Sequence, residues 1–274
     1  VEITYKVDAN YGSDSTAVAE IRINPAPLTI TANDVTVSYG DAPTDNGATF
    51  SGLKSGDGAS LFTLAYDYKN GSAGYNFYAG VGTYTVEVRV ASSATDNYTI
   101  TCVSGKLNVK ARTVNVTWQN SQTDGNTSFE YVYDGVTEFK PYARVTNAVN
   151  GDVLTLVVSG GQINAALNCT AKVTDITGAN AKNYELPVVE ISQTFNVLPK
   201  PRTGVIVWDA GDLYYNGQAQ APKAYYFENE TDRVPKELTV TTNVAAINKG
   251  TYTATATLGS NYELKGETTK EFEI

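Results

Sequence analysis

A chain with 29 carboxylates and no histidine has a narrow choice of chemistry. The missing imidazole removes the usual general base of a nucleophilic triad and the commonest transition-metal ligand. Two facing carboxylates can still hydrolyse a glycoside, one as acid and the other as nucleophile or base. The aspartates with the most regular surroundings are Asp41, Asp57, Asp134 and Asp152, and each adjoins a glycine. Aspartate beside glycine favours a turn, where its carboxylate hydrogen-bonds the local backbone. The turn role outweighs the catalytic one, so no catalytic residue is assigned and an enzyme is not expected. Lysine–asparagine crosslinking would need a buried lysine facing an asparagine. Asn108 and Asn196 alternate outward from apolar neighbours, and Glu273 stands at the third equivalent position.

Sugar recognition asks instead for aromatic faces that stack on a ring. Tyrosine dominates the aromatic content, with 19 residues beside 8 Phe and 2 Trp. Trp118 follows Val114 and Val116 in alternation, and Trp208 follows Ile206, which places both in a core. The candidates for glycan or partner contact are Tyr75, Phe77 and Tyr78, among the glycines of segment 70–82. Such a loop can present a binding patch. It can also fold back over a sheet edge, and that reading is preferred.

The formal net charge is −9 and the pI about 4.6, so nucleic acid is not an expected partner. No stretch approaches the ~20 apolar residues of a membrane span, and no cofactor is implied. Charged residues are only 18% of the chain, and Thr, Ser and Asn supply the polar surface, as on many extracellular β modules. Cys102 extends the alternation Tyr98, Ile100, and Cys169 opens the alternation continued by Ala171 and Val173. Both are therefore expected as small core residues, and a disulfide between them would have to cross a domain boundary.

The elements that position these residues come in copies. A tyrosine-headed turn recurs as Tyr39-Gly40-Asp41, Tyr133-Asp134-Gly135 and Tyr215-Asn216-Gly217. A strand opening follows as Gly82-Thr83-Tyr84 and Gly250-Thr251-Tyr252, degraded in the middle copy to Ala165-Ala166-Leu167-Asn168-Cys169. Then come Asn97-Tyr98, Asn183-Tyr184 and Asn261-Tyr262, and each copy closes on a short strand, 107–109, 195–197 or 272–274. Copies of roughly 80 residues are long enough to bury separate cores, unlike solenoid units of ~20–50 residues. Alternation such as Tyr84, Val86, Val88, Val90 marks strands with one buried face. The fold expected is all-β, tandem small Ig-like β-sandwich domains in an elongated rod; a compact sheet with one short helix is the runner-up. The expected divisions are 27–110, 111–199 and 200–274, with 1–26 as the last strands of a truncated preceding repeat or a complement to another chain. Calcium at the joints is disfavoured by Lys110, Arg112, Lys200 and Arg202. The oxygen-rich loop 120–126 lacks the ligand spacing of a hand-type calcium site.

The order Leu28-Thr29-Ile30-Thr31, Tyr39-Gly40-Asp41, Phe50-Ser51-Gly52-Leu53, Gly56-Asp57, Gly82-Thr83-Tyr84 and Asn97-Tyr98 resembles the MBG-type repeats of bacterial surface proteins. The second and third copies, with Tyr133-Asp134-Gly135, Asn150-Gly151-Asp152 and Tyr215-Asn216-Gly217, are similar to the Tyr-x-Gly variant. The third copy departs in lacking Asn-Gly-Asp, and the second in lacking Gly-Thr-Tyr. The resemblance implies an extracellular, cell-surface, non-enzymatic stalk, spacer or filament module, whose partners are neighbouring repeats. The alternative is an adhesin module that binds a glycan or glycoprotein. Self-association by strand complementation is a further expected mode of partnering.

Overall fold

A computed structural model describes residues 2–4, 16–18, 22–209, 211–229 and 234–274. Strand follows strand throughout, and the only helical elements among the described residues are the single 3-10 turns Ala59–Leu61 and Ala181–Asn183. The chain divides into two compact units, Val1–Arg112 and Thr113–Ile274.

In the first unit the strand Ala26–Ala32 pairs antiparallel with Ala48–Ser51 and parallel with Tyr98–Val103. A second sheet runs in the order Val35–Ser38, Gly105–Lys110, Gly82–Ser93, Phe62–Asn70, Ala73–Gly74. Alternation puts Leu28 and Ile30 of the first sheet, and Val86, Leu107 and Val109 of the second, at 3% exposure or less. Burying a side chain of this size contributes about 1.5–3 kcal/mol each. Aromatic rings join the sheets: Phe62 lies 5.7 Å from Phe50 and 5.9 Å from Tyr98. Residues 1, 5–15 and 19–21 of the expected N-terminal fragment lie outside the described residues; Glu2–Thr4 pairs antiparallel with Thr16–Val18.

The second unit holds clusters built from two successive stretches of chain. Ala143, Leu156 and Val173 form one, and Ala171, Phe195 and Val197 another; Trp118 packs against both. Ala224, Tyr226, Leu238 and Ala256 form a third, with Trp208 against it. Both tryptophans therefore contribute to cores. The ladder around the closing strand is shared by the first two copies. Gly105–Lys110 is antiparallel to Gly82–Ser93 and parallel to Val35–Ser38. Ser192–Leu198 is likewise antiparallel to Ala166–Thr177 and parallel to Glu130–Val132. The degraded opening of the middle copy becomes an irregularity, with register shifting between Ala166 and Cys169 and Asn168 at φ 56°.

The cysteines correct the expectation of two core thiols. Cys102 is exposed and Cys169 half-buried, and both are free. Along Tyr98–Val103 burial fades from a buried Tyr98 to an exposed Cys102 and Val103; the strand is the outer one of its sheet, and Cys102 lies on that open edge beside the fully buried Ile30. Cys169 sits at the margin of its cluster, its thiol 3.7 Å from the Ala166 carbonyl. A thiol reagent added to the native protein is expected to modify Cys102 first and Cys169 much more slowly. Equal slow modification of both would contradict this placement.

Candidate functional site: signature tyrosines and the aromatic loop

Signals that are separate in sequence meet in space. The Tyr98 hydroxyl donates to the Asp57 carboxylate and accepts from the Lys54 amide at 2.9 Å. The Asp57 amide closes the same turn onto the Lys54 carbonyl at 3.0 Å. The second copy repeats each bond: Tyr184 Oη to Asp152 Oδ2 at 2.8 Å, the Val149 amide to Tyr184 Oη at 3.0 Å, and the Asp152 amide to the Val149 carbonyl at 2.9 Å. Asn180 Nδ2 adds a bond of 2.6 Å to Asp152 Oδ1. The Asn-Tyr and Gly-Asp signals thus form a staple, in which the hydroxyl is donor to one and acceptor from the other end of a single turn. The hydrogen bond to Asp57 favours the neutral phenol and raises the Tyr98 pKa.

The remaining turn aspartates are similarly engaged. Asp134 Oδ1 accepts the Val136 and Thr137 amides at 2.9 and 2.8 Å, and Oδ2 accepts the Thr137 hydroxyl. These donors, the hydroxyl foremost, hold its pKa down to about 2. Asp41 pairs with the Arg112 guanidinium, whose Nε donates to the Tyr39 carbonyl at 2.7 Å. Each turn glycine adopts positive φ, 86° at Gly40, 96° at Gly135 and 78° at Gly217, which a β-carbon would strain. No group of three His, Cys, Asp or Glu able to hold a metal ion occurs among the described residues.

The aromatic loop folds onto its own sheet. The Tyr75 amide donates to the Tyr68 carbonyl at 2.8 Å, and the Gly40 amide to the Phe77 carbonyl at 3.2 Å. Tyr75 packs 4.8 Å from Tyr84 and 6.2 Å from Phe77, whereas Tyr78 sits edge-on to the buried Tyr39 at 6.4 Å. The Tyr75 hydroxyl is buried without a partner, while Phe77 and Tyr78 remain 42% and 41% exposed. The structure therefore brings Tyr75 and Phe77 into contact and sends Tyr78 to the tyrosine turn.

A second aromatic surface was not singled out in the sequence. Tyr131 stacks on Phe139 at 5.1 Å and, with Pro141, Asn120, Gln122 and Glu138, lines a cleft of about 570 Å³. Period-2 alternation could have paired Tyr131 with Tyr133, but nothing local announces that Phe139 will cross to meet it. Asn120 Oδ1 is closed off and unpartnered, so an incoming hydroxyl reaches it only if the cleft rearranges.

Burial is the first cause that pushes Tyr68, Tyr75 and Tyr131 up to about 12, from an ordinary 10.0. For an acid whose folded pKa is raised, the neutral form's stabilisation is full below pH ~10 and is lost as the pH climbs through ~12. Phenolate absorbance should therefore show these tyrosines ionising late, with tertiary structure lost across that alkaline window. Ionisation of every tyrosine near pH ~10 with the fold intact would contradict their burial.

Residues 28–108 match the family model of the MBG domain (YGX type). The match falls on the copy whose turn reads Tyr39-Gly40-Asp41, rather than on the Tyr-x-Gly spacing of the two later copies. A search of the curated proteins finds no match.

Proposed function

With an MBG domain at residues 28–108, we propose that this chain is the repeat region of an extracellular, cell-surface protein of bacteria. Its task is mechanical: it is a non-enzymatic stalk, spacer or filament module built of tandem β-sandwich domains at 27–110, 111–199 and 200–274. The observation that carries the reading is the tyrosine–aspartate staple. It occurs in two copies with the same atoms in the same roles, so the signature residues of those two copies hold them closed. Neighbouring repeats are the partners this reading requires.

A second reading, an adhesin module for a glycan or glycoprotein, is favoured by the exposed rings of Phe77 and Tyr78. A glycan array probed with the whole chain separates the two. The spacer reading expects no saturable binding. Binding that Tyr75→Ala and Tyr78→Ala abolish would replace it with the adhesin reading.

A further inference from the structure

We propose that the second and third copies are locked into one rigid body by a joint centred on Asn261 and Tyr262. The connection itself is very short. Leu198 is the last residue of a ladder with Val132, and Lys200 is the first residue of a ladder with Tyr262. Only Pro199 lies between the two ladders, and its ring fixes φ.

Three contacts between the copies then close around that proline, and two within the third copy support them. Asn261 Oδ1 accepts the Ala165 amide at 2.8 Å, and Asn261 Nδ2 donates to Asn164 Oδ1 at 3.0 Å. The Tyr133 ring, at the head of the second tyrosine turn, meets Tyr262 edge-on at 5.5 Å and 87°. The Arg202 guanidinium lies 4.8 Å from the Tyr262 ring centroid, and Glu228 holds Arg202 at 3.2 Å. Tyr262 is thereby flanked by an aromatic edge from one copy and a cation from its own.

The third copy's departures from the signature explain why this tyrosine is used differently. In the first two copies the homologous tyrosine is buried and stapled to the aspartate of Gly-Asp. The third copy has no Gly-Asp between its tyrosine turn and its strand opening, and Tyr262 is half-buried and faces the second copy. Asn261 likewise turns its side-chain amide outward, satisfying both its oxygen and its nitrogen on the second copy. Polar and aromatic contacts of this kind are weak alone. Joined through one residue they are made at high effective concentration, so they form together.

This deepens the spacer reading, and its purpose rests on that reading, because a spacer transmits distance only if its joints do not bend freely. The joint is tested apart from the purpose. Residual dipolar couplings of the intact chain are measured for residues 113–198 and 202–274 in one alignment medium. The expected result is one shared alignment tensor. Inserting Gly-Ser-Gly-Ser after Pro199 leaves both clusters untouched and is expected to give two different tensors; Asn261→Ala should shift the couplings in the same direction. Two independent tensors in the unaltered chain, or a shared tensor that survives the insertion, would overturn the joint. Glycan binding would remove the spacer reading and leave the joint intact, so the two failures are distinguishable.

Discussion

Leu107→Ala is expected to destabilise the first copy strongly and leave the stability of the rest of the chain unchanged. Leu107 is 0% exposed, on a strand between Val35–Ser38 and Gly82–Ser93, so it is enclosed on both sides by its own sheet. Removing a fully buried isobutyl group costs about 2–5 kcal/mol, part in lost transfer and part in the cavity that remains. A small domain has roughly 5–15 kcal/mol in total, and each kcal/mol lowers the melting point of one this size by roughly 4–8 °C. Calorimetry should show a transition belonging to Val1–Arg112 that drops steeply while that of Thr113–Ile274 holds its position. A shift of the whole endotherm would show that the cores are not separate.

Tyr184→Phe should cost the second copy about 1–3 kcal/mol, because it strips two hydrogen bonds that a buried tyrosine makes to a half-buried turn. The ring and its packing survive, so the loss reports the hydroxyl alone. It leaves the Val149 amide without its acceptor and removes a donor from the Asp152 carboxylate. Pairing Tyr184→Phe with Asp152→Ala in a double-mutant cycle should give a coupling well above the ~0.3–0.5 kcal/mol scatter of independent sites. Tyr98→Phe should act in the same direction on the first copy. Tyr262→Phe should not, since Gly-Asp is missing between the third copy's tyrosine turn and its strand opening. Equal losses at all three tyrosines would mean that the ring, not the staple, explains the signature.

The sequence made the strands legible because alternation reports which side chains share a face. Tyr84, Val86, Val88 and Val90 are half-buried or buried, and Glu87 and Arg89 are exposed, as period 2 requires. Trp118 and Trp208 were placed in cores for the same reason. Alternation does not report whether anything covers that face. Cys102 continues the pattern of Tyr98 and Ile100 on the outer strand of its sheet, so the pattern persists where burial does not. The staples were invisible for a different reason. Asp57 and Tyr98 are 41 positions apart, and Asp152 and Tyr184 are 32 apart, so no local rule links them. Their recurrence in the same order in two copies was the available sign. The aromatic loop was legible as a choice between display and cover; the backbone bonds at Tyr75, Phe77 and Gly40 show how it anchors, and the half-exposed Phe77 and Tyr78 show what it leaves outside.

Pulling the chain from its two ends measures most directly whether each copy closes its own hydrophobic interior. Successive unfolding events are expected to release about 80 residues each, or roughly 280 Å of extended chain at ~3.5 Å per residue. A single event that frees the length of all three copies together would contradict the account.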